Sequence, residues 1–345
     1  MCVFSINVII LERILESKSA KCQLVKDCVS AYQKGGTMKI QTAAIFGVGA
    51  VGAYFIWGLS EKLGEDLWVV ADGERKSRLE KEGIRINGKQ YDLHVKTPME
   101  AKGVDLLLIS TKYGALKDIL EDVAVIVDEH TTVLSLLNGV DSEEIIGEKI
   151  GMEPIVYSLM KIASERKDNS IVFDGPSTMG VYYGEAGQSE PSERMLAIAD
   201  LLAGTGIHFH MCEDIIHDIW EKYSFNVSRN LPQAMIECGV GAYSDSAHLA
   251  QICKRLQEEV VAVAAAKGID LSSVNTEVGK DSPANKRARY STLQDLDAKR
   301  HTEVDMFSGA IVRMGKELNI PTPYNEFTYH IIKALEEKND GKFEY

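Results

Sequence analysis

Apolar and polar positions follow two rhythms along this chain, and the change of rhythm divides it. From Met38 onward, short and almost wholly apolar runs exchange places with longer runs whose apolar residues recur every third or fourth position. IQTAAIF reads as a strand, AVGAYFIWGLSEKL as a helix, DLWVV as a strand and ERKSRLEKE as a helix, which is a βαβ pattern. Asn87-Gly88 is a turn signal between IRI and YDLHV and predicts a hairpin. VDLLLIS and TTVLSLL come next; strands apolar on both faces suit a parallel sheet that is covered on both sides. PIVYSLM, SIVFD and MGVYYGE extend the strand set, a helix begins near Pro191-Ser192-Glu193, and GIHFH supplies a last strand.

From about Glu213 the period is helical throughout IHDIWEKYSFNVSRNLPQAM, AHLAQICKRLQEEVVAVAAAKG and YSTLQDLDAKRHTEVDMFSGAIVRMGKEL. The pattern therefore predicts an α/β Rossmann domain with a parallel sheet over residues 38–210, followed by an all-helical substrate and catalytic domain over 211–345. Residues 1–37, which close on Gly35-Gly36-Thr37, share neither rhythm and form an N-terminal extension with no assigned role. No repeat at a period of about 20 to 50 residues breaks this plan.

Composition agrees with two folded domains, since 345 residues at 45% hydrophobic content exceed what one compact core usually holds. Lys and Arg total 38 against 51 Asp and Glu, a formal charge of -13 that disfavours a nucleic-acid partner. Cys2, Cys22, Cys28, Cys212, Cys238 and Cys253 are scattered without a CxxC pair and read as reduced thiols, hence a cytoplasmic setting. The opening MCVFSINVIILERI lacks the basic flank and small-residue cleavage site of a secretion signal. No stretch reaches the roughly 20 apolar residues of a membrane span, so no membrane association is expected.

The first candidate chemistry is Gly47-Val48-Gly49-Ala50-Val51-Gly52, a GxGxxG between a strand and a helix. The first glycine permits the turn, the second lets a pyrophosphate approach the backbone, and the third lets helix and strand pack closely. A plain tight turn is the bland reading. Asp72 ends the second strand, where a carboxylate accepts from the adenosine ribose hydroxyls and favours NAD(H). Arg75, Lys76 and Arg78 follow at once and suit either a 2′-phosphate or a solvated helix face. Lys112 and Asn138, with Gly139, close two buried strands, and ligands of open parallel sheets bind outside such strand ends.

In the helical half, Lys222, Asn226 and Asn230 fall at i, i+4 and i+8. They form either a substrate-gripping stripe, with the lysine as general acid to a ketone oxygen, or a solvated face opposite Ile219, Phe225 and Leu231. Ser291, Asp295 and Glu303, with Arg300 and His301 nearby, offer a hydroxyl and carboxylates for substrate oxygens or the exposed side of an amphipathic helix. His208 and His210 alternate in a strand-like run, but no ligand cluster completes a metal site, so no metal is expected.

Taken in order, GVGAVG, the STK at Lys112, LLNGV at Asn138, IWEKYSFNVSRN and STLQDLDAKRHTEVDMFSG resemble the signatures of ketopantoate reductases, also called 2-dehydropantoate 2-reductases. The likeness runs from Met38 to about Glu337. It implies a C-terminal domain like the helical one of 6-phosphogluconate dehydrogenase, and NADP(H)-dependent reduction of ketopantoate to (R)-pantoate on the route to pantothenate. It implies Lys222 as proton donor, Asn226, Asn230 and Ser291 on the substrate's hydroxyl and carboxylate, Glu303 binding and orienting, and Lys112 and Asn138 beside the nicotinamide. It implies domain closure over the cleft. The sequence itself does not report oligomeric state, although a helical second domain often supplies a dimer surface, so a homodimer is kept in view. Asp72 departs from the arginine that NADPH-using members commonly carry at that position, and keeps NAD(H) in view. LPQAMIECGVG departs from a Pro-Leu-Thr-Ala-like stretch beside the substrate and keeps a D-2-hydroxyacid dehydrogenase acting on another branched 2-keto acid in view. A non-catalytic dinucleotide-binding redox sensor is the alternative of another class, against which Lys222 and Glu303 stand.

Overall fold

The computed structural model describes residues 32, 38–167, 170–188, 190–274, 286–343 and 345. The N-terminal extension, Tyr32 apart, lies outside the described residues, and so do Cys2, Cys22 and Cys28.

Among the described residues, twelve strands form two sheets. They are β1 (Ala43–Phe46), β2 (Leu67–Val70), β3 (Ile84–Ile86), β4 (Lys89–Tyr91), β5 (His94–Lys96), β6 (Leu106–Ile109), β7 (Thr132–Ser135), β8 (Ile155–Lys161), β9 (Ser164–Lys167), β10 (Ser170–Phe173), β11 (Gly180–Gly184) and β12 (Phe209–Met211). The main sheet has eight strands in the order β12-β11-β8-β7-β6-β1-β2-β5. From β5 to β8 every neighbour is parallel, while β11 joins β8 antiparallel and carries β12 with it. The chain leaves β1 toward β2 on one side and returns to β6 on the other, so the strand order reverses beside β1 and opens a crevice there.

Helices α1 (Ala50–Leu63), α2 (Gly73–Glu82), α3 (Leu120–Ile126), α4 (Ser142–Ile150) and α5 (Glu193–Leu202) belong to this half. Alternation within the strands explains why the sheet needs cover on both faces. Ala43 and Ile45 of β1 enter one apolar cluster with Tyr54, Phe55 and Leu59 of α1, whereas Ala44 and Phe46 enter the other. That second cluster does not stop at the sheet. It runs through Ile109 and Leu137 to Ile219, Trp220, Tyr223 and Val227, then to Phe307 and Ile311 of the helical half.

The helical half holds α6 (Ile215–Phe225), α7 (Leu231–Ile236), α8 (Ala242–Asp245), α9 (Ala247–Ala266), α10 (Ser291–Asp297), α11 (Ser308–Leu318) and α12 (Pro323–Asn339). Between α6 and α7, residues Asn226–Asn230 form a wider π turn. Pro232 sits in the first turn of α7, where it supplies no N–H and its ring needs room beside the preceding carbonyls; a locally wider turn accommodates both.

Two expectations are corrected, and one strand that the sequence did not signal appears. YDLHV is not one strand of a hairpin: Lys89–Tyr91 pairs with β3 in a small four-stranded sheet, and His94–Lys96 joins β2 in the main one. Ser164–Lys167, with little apolar content, is a strand of the small sheet because it pairs with β10. The run from Tyr290 to Leu318 is not continuous helix, since α10 ends at Asp297 and α11 begins at Ser308. Lys299, with φ of 51°, turns the chain between them.

Candidate active site

The loop from β1 to α1 occupies the switch point, and its glycines divide their work as the motif demands. Gly47 has φ of +104°, and a Cβ there would lie 2.8 Å from the Ser110 carbonyl oxygen. A Cβ on Gly52 would lie 2.1 Å from the Gly47 carbonyl oxygen, so only glycine lets α1 abut the loop. Gly49 faces open space, with nothing within 4 Å of an added Cβ. Helix α1 starts without a side-chain cap and without an acid in its first turn, which leaves its N–H groups to a ligand. Val48, Ala50 and Val51 complete this wall of a cleft of about 1980 Å³.

Asp72 stands apart from this cleft. Its carboxylate is the N-cap of α2, accepting from the Gly73 N–H at 2.6 Å, and it does not line the cavity. Arg75 and Arg78 do line it, one helical turn apart. Lys76 points elsewhere, with its ammonium 2.6 Å from Glu100 Oε2.

The ends of β6, β7 and β8 form the floor. Thr111 has a buried hydroxyl with no hydrogen-bond partner, an orphan at the place where a ligand would supply one. Lys112 reaches across the cleft to Asp295 Oδ2 at 3.0 Å, and Arg300 Nε donates to the other oxygen of that buried carboxylate at 2.9 Å. Lys161, at the end of β8, is a fourth strand-end residue that reading by motif passed over; the strand-end rule that selected Lys112 and Asn138 would have found it.

Opposite lies the last turn of α6. Lys222 Nζ donates to Asn138 Oδ1 at 2.7 Å, the one direct bond between the helical lysine and the strand-end amide. Withdrawal from bulk water and, to a lesser extent, the charge of Lys161 lower its pKa, Glu303 opposes both, and the net value is about 7. Glu303 sits in the turn before α11 and lines the same cleft. Asn226 lines it too, and Asn230 Nδ2 comes to 3.5 Å from Ser291 Oγ at the start of α10. The π turn keeps Asn226 and Asn230 on the cleft side, because five residues per bonded turn reduce the rotation between them. Phe225, the last residue of α6, faces the cleft: its ring packs edge-on to Tyr290 at 5.9 Å and not into the core with Ile219 and Leu231.

Arg229, Arg289 and Tyr290 also line this end and carried no sequence signal, since a cation beside an apolar stripe looks the same on any helix. Among the described residues, His217, Asp218 and Glu221 come close enough to share a cation but remain at least partly exposed. His208 and His210 bond the backbone carbonyls of Thr178 and Met179.

The bare glycine turn at the switch point, with Lys222 facing it from the helical half, marks a dinucleotide-binding Rossmann fold with a candidate proton donor beside it. Residues 43–186 match the description Ketopantoate reductase PanE/ApbA, and residues 214–336 match Ketopantoate reductase PanE/ApbA C terminal. The chain belongs to the ketopantoate reductase family. It is 27% identical to the 2-dehydropantoate 2-reductase of Archaeoglobus fulgidus over 301 residues, 87% of this chain and 99% of that one. It is 28% identical to the Pyrococcus horikoshii enzyme of the same name, over 86% of this chain and 98% of that one. Among solved structures, a PanE/ApbA family ketopantoate reductase from Ralstonia eutropha superposes with a TM-score of 0.74 at 22% identity, covering 87% of this chain and 99% of that one. D-mandelate dehydrogenase with NADH and anilino(oxo)acetate gives 0.74 at 24% identity over the same shares. These last two likenesses are of fold.

Proposed function

We propose that this chain reduces ketopantoate to (R)-pantoate with NADPH, Lys222 acting as the general acid. The bond from Lys222 to Asn138 carries the reading, because it sets a proton donor of lowered pKa at the strand ends. The cradle fits a dinucleotide: Gly49 leaves space for the pyrophosphate, the uncapped start of α1 faces it, and Thr111 has a hydroxyl without a partner. When bound, the reduced nicotinamide supplies the hydride. Lys222 gives its Nζ proton to the 2-oxo oxygen as the carbon is reduced, and is left as a neutral amine hydrogen-bonded to Asn138. Glu303 supports the ammonium form before transfer. Asn226, Asn230 and Ser291 hold the substrate's hydroxyl and carboxylate from the helical side.

NADPH is favoured over NADH by the walls of the cleft. Arg75 and Arg78 border it, while the Asp72 carboxylate is occupied in capping α2. Cys212, Cys238 and Cys253 are free thiols, and no described helix is long and apolar enough to cross a membrane; both support a cytoplasmic enzyme. A ketopantoate reductase from Staphylococcus aureus with the same fold is described as dimeric, and we extend a dimer to this chain. The test is an initial-rate assay with ketopantoate and 2-ketoisocaproate, each with NADPH and NADH. Fast NADPH-dependent turnover of ketopantoate is expected; turnover of the other acid alone would replace it with a D-2-hydroxyacid dehydrogenase, and none with either would leave a dinucleotide sensor.

A further inference from the structure

We infer that Arg313, outside the cleft, is a positioning residue that holds three site-bearing segments in one arrangement. Its guanidinium, on α11 of the helical half, donates through Nη2 to the Tyr113 hydroxyl at 2.9 Å and to Asp141 Oδ2 at 3.2 Å. Tyr113 itself donates to the same carboxylate oxygen at 2.7 Å. Through Nη1 the guanidinium donates to the Asp305 carbonyl at 3.2 Å. Each contact is a near neighbour in sequence of a residue in the cleft: Tyr113 follows Lys112, Asp141 shares its loop with Asn138, and Asp305 shares its turn with Glu303. Arg313 does not line the cleft, so it acts only through these partners.

The neighbours show that little slack remains in this arrangement. A Cβ on Gly139 would lie 2.8 Å from Met306 Cγ, so the Asn138 loop rests directly on the Glu303 turn. Tyr223, beside Lys222, donates to the Met306 and Phe307 carbonyls and ties α6 to the same turn. From α12, Tyr329 and Lys333 grip the Asp305 carboxylate at 2.8 and 3.2 Å. Asp141 Oδ1 is buried with no hydrogen-bond partner, so the carboxylate depends on the guanidinium and phenol at its other oxygen. A planar fork with several donors spans the Tyr113, Asp141 and Asp305 acceptors together, which an ammonium cannot do.

The inference rests on the cleft being the reductase site. Displacing strand-end groups by an ångström costs up to about 100-fold in rate, and a fall of about 10- to 100-fold in kcat is expected for Arg313→Ala with the 2-oxo acid. Asp141→Asn should fall in the same direction, and Arg313→Lys should recover only part of the loss. Affinity for ADP-ribose, which lacks the nicotinamide and contacts the glycine loop, should stay within about twofold, as for sites that do not touch. Added guanidinium ion should restore part of kcat to Arg313→Ala and none to wild type. Wild-type kcat in Arg313→Ala, or a loss that guanidinium does not restore, would overturn the assignment. If the wild-type protein reduces no 2-oxo acid, the reductase reading is what has failed. Hydrogen exchange then tests the positioning alone: backbone amides of 138–141 and 303–307 should exchange faster in Arg313→Ala, and unchanged exchange overturns it.

Discussion

Lys222 carries its ammonium in a place where water is scarce and another cation, Lys161, is near, and both lower its pKa to about 7 from the usual lysine value of 10.5. Protonated lysine is the form that reduces, so kcat/KM for the 2-oxo acid should be level below that value and fall above it, while oxidation of the hydroxy acid rises over the same range. Glu303 raises the lysine's pKa, so Glu303→Gln should move the falling limb to lower pH; a limb that stays in place would detach Glu303 from the lysine. Lys222→Ala should lower turnover by about 100-fold or more and leave dinucleotide affinity near wild type. The same depressed pKa has a stability consequence. Between about 7 and 10.5 the unfolded chain binds more protons at this residue than the native one, so the native state loses stability as pH falls through that window. Lys222→Met should therefore raise the melting temperature at pH 6 and change it little above pH 11. No rise at pH 6 would mean that the charge is not withdrawn from water.

At the scale of elements, the glycine loop and the turn after α6 show what sequence conveys and what it withholds. GxGxxG named its own geometry, since Gly47 and Gly52 each answer to a different neighbour and Gly49 to open space. Gly52→Ala should destabilise by about 1–3 kcal/mol, because its Cβ meets the Gly47 carbonyl at 2.1 Å. Gly49→Ala should leave the melting temperature near wild type yet raise the KM for the dinucleotide about tenfold, equivalent to ~1.4 kcal/mol. Equal effects of the two substitutions on stability would contradict that division of roles. The buried strands β1, β6, β7 and β8 were legible because continuous apolar runs have few other uses, and the polar residues at their ends located the floor of the cleft. Strand partners were not legible: periodicity reports burial, so it could not separate Lys89–Tyr91 from His94–Lys96, which lie in different sheets. The interruption at 298–307 was hidden for the same reason, since Val304, Met306 and Phe307 are as buried as helix residues would be. Asp72 was placed correctly at its strand end, but a carboxylate there serves equally as a helix cap, and only the bond to Gly73 separates the two uses.

On the scale of the molecule, one apolar cluster joins the sheet to the helical half, and this decides how the protein unfolds. Ile109 and Leu137 from the sheet share that cluster with Ile219, Trp220, Tyr223, Phe307 and Ile311, all but fully buried. Separating the halves would expose these side chains, at about 25 cal/mol for each Å² of apolar surface uncovered. The halves should therefore melt together, in one calorimetric transition whose van't Hoff and calorimetric enthalpies agree. A dinucleotide held mainly by the glycine loop makes a sharper test, since ligand at 100 times its Kd stabilises whatever unit binds it by about 2.7 kcal/mol. If the shared cluster couples the halves, NADPH shifts the whole transition, including the signal from Trp220 in the helical half. Two transitions, with only the one belonging to the sheet moved by NADPH, would show instead that the cluster is a contact between separately folded domains.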